Sequence, residues 1–208
     1  MVDLPLHATL DELVELPAPF AGELDETAAI ARRLLDAGTA VLLTPSAARP
    51  WRGRMGVGHD GGRGGDAALE AADRIARHAR GQLARVDIAY VDDSASCAHD
   101  SDGDLVASRR AAAIEWWLNE LSEALPAPVR SLRPVGDPAG ELAELSEELD
   151  LLLIGTRGRA RLRRALTGSV SRRLIGTCCC ALLIVPPSAA AGRAAFAVSE
   201  PEPAPARA

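Results

Sequence analysis

Short apolar runs alternate with segments of helical periodicity from residue 54 to residue 187. The runs MGVGHD, ARVDIAYV, APVRSLRPV, DLLLIGT and ALLIVPP have the composition of β-strands. Between them apolar residues recur every three or four positions, as at Leu69, Ala72, Ala76, Ala79 and Leu83. Strands that alternate with helices join through crossover connections and form parallel sheets. The chain is therefore predicted to fold as an α/β protein, a doubly wound five-stranded parallel sheet with helices on both faces.

Capping residues indicate where three of the helices begin. Asp66 is predicted to be the N-cap of the helix that follows the first strand. Asp137 is predicted to cap the third helix, with Pro138 in its first turn. The last helix is expected to begin near Gly168 and Ser169.

Residues 1–50 contain a partial repeat of the end of this unit. The segment ARRLLDAGTAVLLTPSAARP (31–50) aligns with SRRLIGTCCCALLIVPPSAA (171–190), and LDELVELPAPF precedes it where LDLLLIGTRG precedes the later copy. In the early copy PAPF replaces GTRG, so the glycines are lost. We expect a degenerate strand–helix–strand unit at 1–50, a complete domain at 54–187 and a disordered tail, rich in Ala and Pro, at 188–208.

Charge and hydropathy exclude several classes of protein. The net charge is -6 and no aromatic residues interleave with the arginines, which opposes binding to nucleic acid. No apolar run reaches the roughly 20 residues that span a bilayer, and MVDLPLHATLDELVEL lacks the features of a secretory signal, so a cytoplasmic location is expected.

Cys97 and the three cysteines at 178–180 match neither a zinc motif nor a disulfide framework. They are expected to be reduced and to act as small apolar residues.

The connection between the last two strands has the parts of an anion site. Gly155 ends an apolar run, Gly158 follows three residues later, and Gly168 with Ser169 opens a helix, with five arginines at 157–164. Glycines let backbone N–H groups approach a phosphate, and a helix N-terminus adds unpaired donors. The alternative is that these glycines only form turns and that the arginines are solvated. The Walker and Rossmann glycine motifs are both absent where they would be needed.

Asp60 is predicted to lie near that glycine loop. In doubly wound sheets ligands bind at the carboxyl ends of the strands, where the direction of winding reverses. The first strand ends in GHDGG, which would bring Asp60 opposite Gly155. A carboxylate there suits a ribose hydroxyl or a phosphate-bound Mg²⁺, although an Asp before two glycines is also typical of a turn.

The spacing G-x2-G-x9-G-[ST] in GTRGRARLRRALTGS resembles the ATP-binding signature of the universal stress protein family. The resemblance extends over nearly all of residues 54–187, with Gly62 where the family usually has Ser and Ala181 where a Pro is common. It implies that Asp60 lines the ribose end of a pocket and that the backbone of Val91 contacts adenine. It places ribose and phosphates among the following positions: Gly155, Arg157, Gly158, Gly168, Ser169, Val170 and Ser171. It also implies a homodimer paired through the last strand.

Two functions follow from these expectations. The first is a stress-response or signalling module that binds ATP, with Mg²⁺, and hydrolyses it slowly or not at all, because no oriented base, nucleophile or metal cage accompanies His59 and Asp60. The second is an interaction protein that keeps the fold without nucleotide. In that case TAVLLTP of the early unit could pair with ALLIVPP inside one chain and take the place of the dimer contact.

Overall fold

The computed structural model describes residues 13–17, 24–45, 50–79, 81–91, 125–156 and 169–187, together with six helical residues at 112, 115, 116, 119, 120 and 123. The acidic loop after Val91, the arginine-rich segment at 157–168 and the tail at 188–208 lie outside the described residues. Among the described helices none has both the length and the hydrophobicity to cross a membrane.

Seven strands and four helices are described over their full length. In chain order they are β1 (Leu13–Pro17), α1 (Leu24–Asp36), β2 (Ala40–Thr44), β3 (Arg54–Gly58), α2 (Arg63–His78), β4 (Arg85–Ala89), β5 (Val129–Leu132), α3 (Pro138–Ser146), β6 (Leu151–Gly155), α4 (Ser169–Thr177) and β7 (Ala181–Val185). The predicted alternation of strands and helices is confirmed.

All seven strands belong to one sheet, in the order β1-β2-β7-β6-β3-β4-β5. Every neighbouring pair is parallel except β2 and β7, which are antiparallel. The predicted α/β class is confirmed, and the sheet has two strands more than the five predicted because β1 and β2 extend it.

Each face of the sheet is covered by helices. Met55 and Val57 of β3 point to the face covered by α2, whereas Leu152 and Ile154 of β6 point to the face covered by α1, α3 and α4. Residues 151–154 of β6 are all buried, as a strand covered on both faces requires. The two cores therefore hold the carboxyl end of β6 firmly between helices.

One predicted helix cap is confirmed and one is wrong. Asp137 caps α3, where its carboxylate accepts a hydrogen bond of 2.8 Å from the Gly140 N–H, and Pro138 stands in the first turn. Helix α2 begins at Arg63 with Gly62 as its N-cap, so Asp66 lies inside the first turn instead of capping it. The Asp66 carboxylate is instead 3.2 Å from Nε2 of His59, a contact that local sequence does not reveal.

The N-terminal unit adopts the same arrangement as the end of the chain. Strands β1 and β2 are parallel and joined by α1, as β6 and β7 are joined by α4. The antiparallel pair β2–β7 is centred on Leu42, which lies opposite Leu183. The expected pairing inside one chain is therefore present, and β7 has a neighbour on both sides.

Strands β4 and β5, at the far edge of the sheet, are linked by a buried carboxylate and two partly exposed arginines. The Asp87 carboxylate on β4 is fully buried and accepts hydrogen bonds of 3.0 and 2.8 Å from Nε and Nη2 of Arg130 on β5. Nε of Arg85 also lies 3.0 Å from this carboxylate. The hydrogen bond to Asp87 raises the pKa of Arg130 above its ordinary value. A carboxylate that is compensated in this way is a structural link between β4 and β5.

Candidate functional site at the carboxyl ends of strands β3 and β6

The direction of winding reverses between β3 and β6. From β3 the chain passes through α2 to β4 on one side, and from β6 it passes through α4 to β7 on the other side. The two strands are parallel neighbours, with Met55 opposite Leu151 and Gly58 opposite Ile154. Their carboxyl ends therefore form the kind of crevice in which doubly wound sheets bind ligands.

Helix α2 crosses the end of β6 with its backbone. A Cβ atom at Gly155 would overlap the Gly64 carbonyl group, and a Cβ at Gly64 would lie 2.5 Å from the Thr156 carbonyl oxygen. Neither position can hold a side chain unless the helix moves away from the strand. Gly155 therefore has a packing role, which neither the predicted phosphate site nor the alternative of a simple turn included.

His59 supports the turn that follows β3. Its side chain is buried, and Nδ1 accepts a hydrogen bond of 2.9 Å from the Gly61 N–H. In the neutral ring the proton is therefore on Nε2, which donates to the Asp66 carboxylate at 3.2 Å. A Cβ atom at Gly65 would lie 2.5 Å from Nδ1, so this glycine makes room for the ring. With both ring nitrogens engaged, His59 is a structural residue.

Asp60 stands on the exposed outer side of the same turn. Its Oδ1 accepts a hydrogen bond of 3.0 Å from the Gly62 N–H. Gly61 has a φ of 74°, a left-handed conformation that suits glycine. The turn that the alternative interpretation of this Asp predicts is therefore present. The carboxylate remains exposed at the end of β3.

The other predicted site residues lie along the same edge of the sheet. Val91 follows the end of β4 and is half-buried, and Gly155 is the last residue of β6. Ser169, Val170 and Ser171 form the first turn of α4, in which Ser171 is buried. Arg157, Gly158 and Gly168 lie outside the described residues, as does the side chain of Ser169.

The described residues of the site include groups that can bind a ligand, namely one carboxylate and the backbone N–H groups of α4. Among the described residues, no group of three or more His, Cys, Asp or Glu side chains could hold a metal ion. Asp60 alone among the predicted site residues carries a carboxylate, which suits a Mg²⁺ already bound to phosphate. The first turn of α4 adds backbone N–H groups with no partner within the helix.

Sequence reasoning missed the residues of α2 that pack against the ends of β3 and β6. These are Gly64, Gly65 and Asp66, which act through contacts with Gly155 and His59. The only available signal was the run GGRGGD, in which a second glycine pair falls inside the first helical turn. Glycine in a helix is unfavourable unless close packing requires it, so the pair was an indication of a helix crossing.

Comparison with known proteins gives the family. The family model described as the universal stress protein family matches residues 52–186. The chain belongs to the universal stress protein family. No curated protein sequence matches it.

Several solved structures are similar to this chain, and the first two described below show the same fold. A universal stress protein from Archaeoglobus fulgidus matches with 16% identity over 84% of this chain and 60% of that chain, with a TM-score of 0.56. A protein of unknown function from Pseudomonas aeruginosa matches with 20% identity over 86% of this chain and 64% of that chain, with a TM-score of 0.59. A universal stress protein solved in complex with cAMP matches with 26% identity over 66% of this chain and 99% of that chain, with a TM-score of 0.46.

Proposed function

We propose that this universal stress protein binds an adenine nucleotide, ATP with Mg²⁺, in the crevice between β3 and β6 and acts as a stress-response module that turns it over slowly or not at all. The observation that carries the proposal is the position of this crevice. It lies where the winding of the sheet reverses, and the Gly155 end of β6 leads into the G-x2-G-x9-G-[ST] segment that precedes α4.

The phosphates are assigned to the start of α4. Ser169, Val170 and Ser171 form its first turn, so their N–H groups have no acceptor within the helix. The positive end of the helix dipole favours an anion at the same place. The arginines at 157–164 add positive charge to a chain with a net charge of -6.

The ribose and the metal ion are assigned to Asp60, and the adenine to Val91. Asp60 is exposed at the end of β3, beside the end of β6. Val91 follows β4, which lies beside β3 on the side away from β6. Parallel strands present their carboxyl ends at one edge, so a nucleotide that spans these strands meets all three parts of the proposed site.

Slow or absent turnover follows from the side chains at the crevice. His59 is the nearest titratable base to Asp60 in the sequence, and both of its nitrogens are occupied by Gly61 and Asp66. A general base must reach the proton that it removes. We therefore expect Asp60→Ala to weaken binding of Mg²⁺-ATP, and we expect steady-state phosphate release to stay slow in the original protein and the variant.

Calorimetric titration with Mg²⁺-ATP tests the proposal. The original protein should bind with micromolar affinity, and Gly158→Val should lose at least roughly tenfold because a side chain blocks the approach of phosphate to the backbone. Ala160→Val is the matched control, since it enlarges a residue of the same segment outside the glycine pattern. A folded original protein that releases no heat with Mg²⁺-ATP contradicts the proposal, as does equal binding by the Gly158→Val variant.

A second candidate is an interaction protein whose N-terminal unit covers β7. The observation that favours it is the antiparallel pair β2–β7, which occupies the strand expected to mediate a homodimer. The two longer solved structures align over 84% and 86% of this chain, which supports the interpretation of residues 1–50 as part of a first domain. Light scattering should then give the mass of one chain, whereas a dimer mass would contradict this arrangement.

A further inference from the structure

Three consecutive cysteines connect α4 to the start of β7. They lie at the amino end of this strand, whereas the crevice lies at the carboxyl ends of β3 and β6. Cys178 is half-buried, Cys179 is exposed and Cys180 is buried, with 4% of its surface accessible. The Cys179 N–H donates a hydrogen bond of 2.9 Å to Oγ of Ser146, at the end of α3. This bond fixes the backbone of the middle residue, and the thiols of its two neighbours lie on the same side.

The thiols of Cys178 and Cys180 are in contact. Their sulfur atoms are 3.8 Å apart, with one thiol hydrogen-bonded to the other. A disulfide requires about 2.05 Å, so less than 2 Å of movement would join them. Residues 178–180 lie between the end of the helix and the start of the strand, where the backbone can adjust without breaking either element.

The two thiols differ in acidity, which determines the one that is oxidised first. The Cys180 thiol, as a hydrogen-bond donor, lowers the pKa of Cys178 to about 7. That contact with Cys178 and then burial raise the pKa of the Cys180 thiol above its ordinary value. Cys178 is therefore the more acidic of the two thiols and the one that more readily forms the nucleophilic thiolate.

We propose that Cys178 and Cys180 form a peroxide-responsive dithiol, in which Cys178 is oxidised first and Cys180 resolves it to a disulfide. The Cys178 thiolate attacks one oxygen of a hydroperoxide, the O–O bond breaks, and the leaving oxygen takes up a proton as water or an alcohol. The Cys180 sulfur then attacks the Cys178 sulfenic acid, an S–S bond forms, and water leaves. Two thiols are oxidised by two electrons and one peroxide is reduced.

Mass spectrometry of the full chain after hydrogen peroxide treatment tests this site. Cleavage after arginine releases residues 174–193, which contain all three adjacent cysteines. After alkylation with N-ethylmaleimide, this peptide from the oxidised protein should carry one adduct and weigh two hydrogens less. Three adducts after peroxide treatment of the folded protein would overturn the proposal.

Single substitutions distinguish the thiols. Cys179→Ser is the matched control and should still form the disulfide, whereas Cys178→Ser should not form it. Cys180→Ala should stop at a Cys178 sulfenic acid that dimedone traps. Disulfide formation that requires Cys179, or that persists in Cys178→Ser, would overturn the assignment.

The pH dependence of alkylation provides a measurement that does not need the disulfide. The rate of iodoacetamide reaction at Cys178 should rise with a midpoint near the lowered pKa of about 7. In Cys180→Ala the midpoint should move up, because the thiol that donates to the thiolate is gone. An unchanged midpoint in a folded variant would contradict the contact on which the proposal rests.

Discussion

The two strand–helix–strand units of the sheet share one arrangement and differ in what surrounds it. Strand β6 is buried along residues 151–154, whereas β1, at the outer edge, is partly exposed along its length. At matching positions of the two registers, β6 ends in Gly155 and β1 ends in Pro17. Helix α2 crosses the end of β6, where Gly64 contacts Gly155.

This difference shows how a site is made from a common unit. A parallel pair with its helix can form an edge of the sheet, as β1, α1 and β2 do. Where the winding reverses, as between β3 and β6, a helix from the neighbouring strand also packs across the strand end, as α2 does over β6. The glycine at that crossing is therefore required by the fold before any ligand is considered.

Gly155→Ala should have the largest effect on stability. Its Cβ would overlap the Gly64 backbone, which can be relieved only by separating α2 from β6. We expect a loss of about 3 kcal/mol or more in the free energy of unfolding, measured by denaturant titration. Pro17→Ala at the matching position of β1 is the control and should cost under about 1 kcal/mol. Equal losses in the two variants would show that the two strand ends are not different in packing.

Leu42→Asp should have the second largest effect on stability, because it disrupts the β2–β7 pair that joins the two units. Leu42 is buried opposite Leu183, so an Asp places an unpaired carboxylate in the core. A loss of about 2 to 3 kcal/mol is expected. Ile30→Asp on α1 is the control, since Ile30 is 40% exposed. If the variant of Leu42 is as stable as this control, the strand pair contributes little.

His59→Ala should destabilise the protein by a smaller amount, about 1 to 2 kcal/mol, by removing the acceptor for the Gly61 N–H and the donor to Asp66. His59→Asn restores a side-chain acceptor close to the backbone and should recover part of the loss. The measurement is again denaturant unfolding. If Asn recovers nothing, the ring contributes by filling space beside Gly65 instead of by supporting the turn.

The smallest effects are expected at the two exposed ion pairs of α4. Arg173 binds Asp137 of α3 at 2.7 Å, and Arg172 binds Asp25 of α1. Asp137→Ala should lower the melting temperature more than Asp25→Ala, because Asp137 also caps α3 through Gly140. Thermal unfolding of both variants should show this order. The reverse order would mean that the cap at Asp137 does not add to the stability of the protein.

The ion pair between Asp137 and Arg173 predicts how the stability of the protein changes at acidic pH. The Arg173 hydrogen bond, followed by that from Gly140, lowers the pKa of Asp137 below its ordinary value. A lowered folded-state pKa contributes stability that is present above the unfolded-state pKa and is lost as pH falls through the folded-state value. The difference in stability between the original protein and Asp137→Ala should therefore shrink below about pH 4. A difference that stays constant through this range would contradict the pair.

The local pattern predicted the order of elements, the Asp137 cap and the presence of a strand at 40–44 that can pair with β7. These features depend on short-range periodicity, on single capping residues and on the similarity between two segments of the chain. The pattern did not predict the role of Asp66 or the packing role of Gly155. Both depend on contacts that form only when α2 packs across the finished sheet. Apart from the glycine pair at 64–65, the neighbouring sequence gives no sign of them.

The antiparallel neighbour of β7 is part of the same polypeptide. A strand supplied by a second molecule is lost on dilution, because association follows mass action. A strand attached through the chain has an effective concentration that dilution does not change. Coverage of this sheet edge should therefore be independent of how many copies of the protein a cell contains.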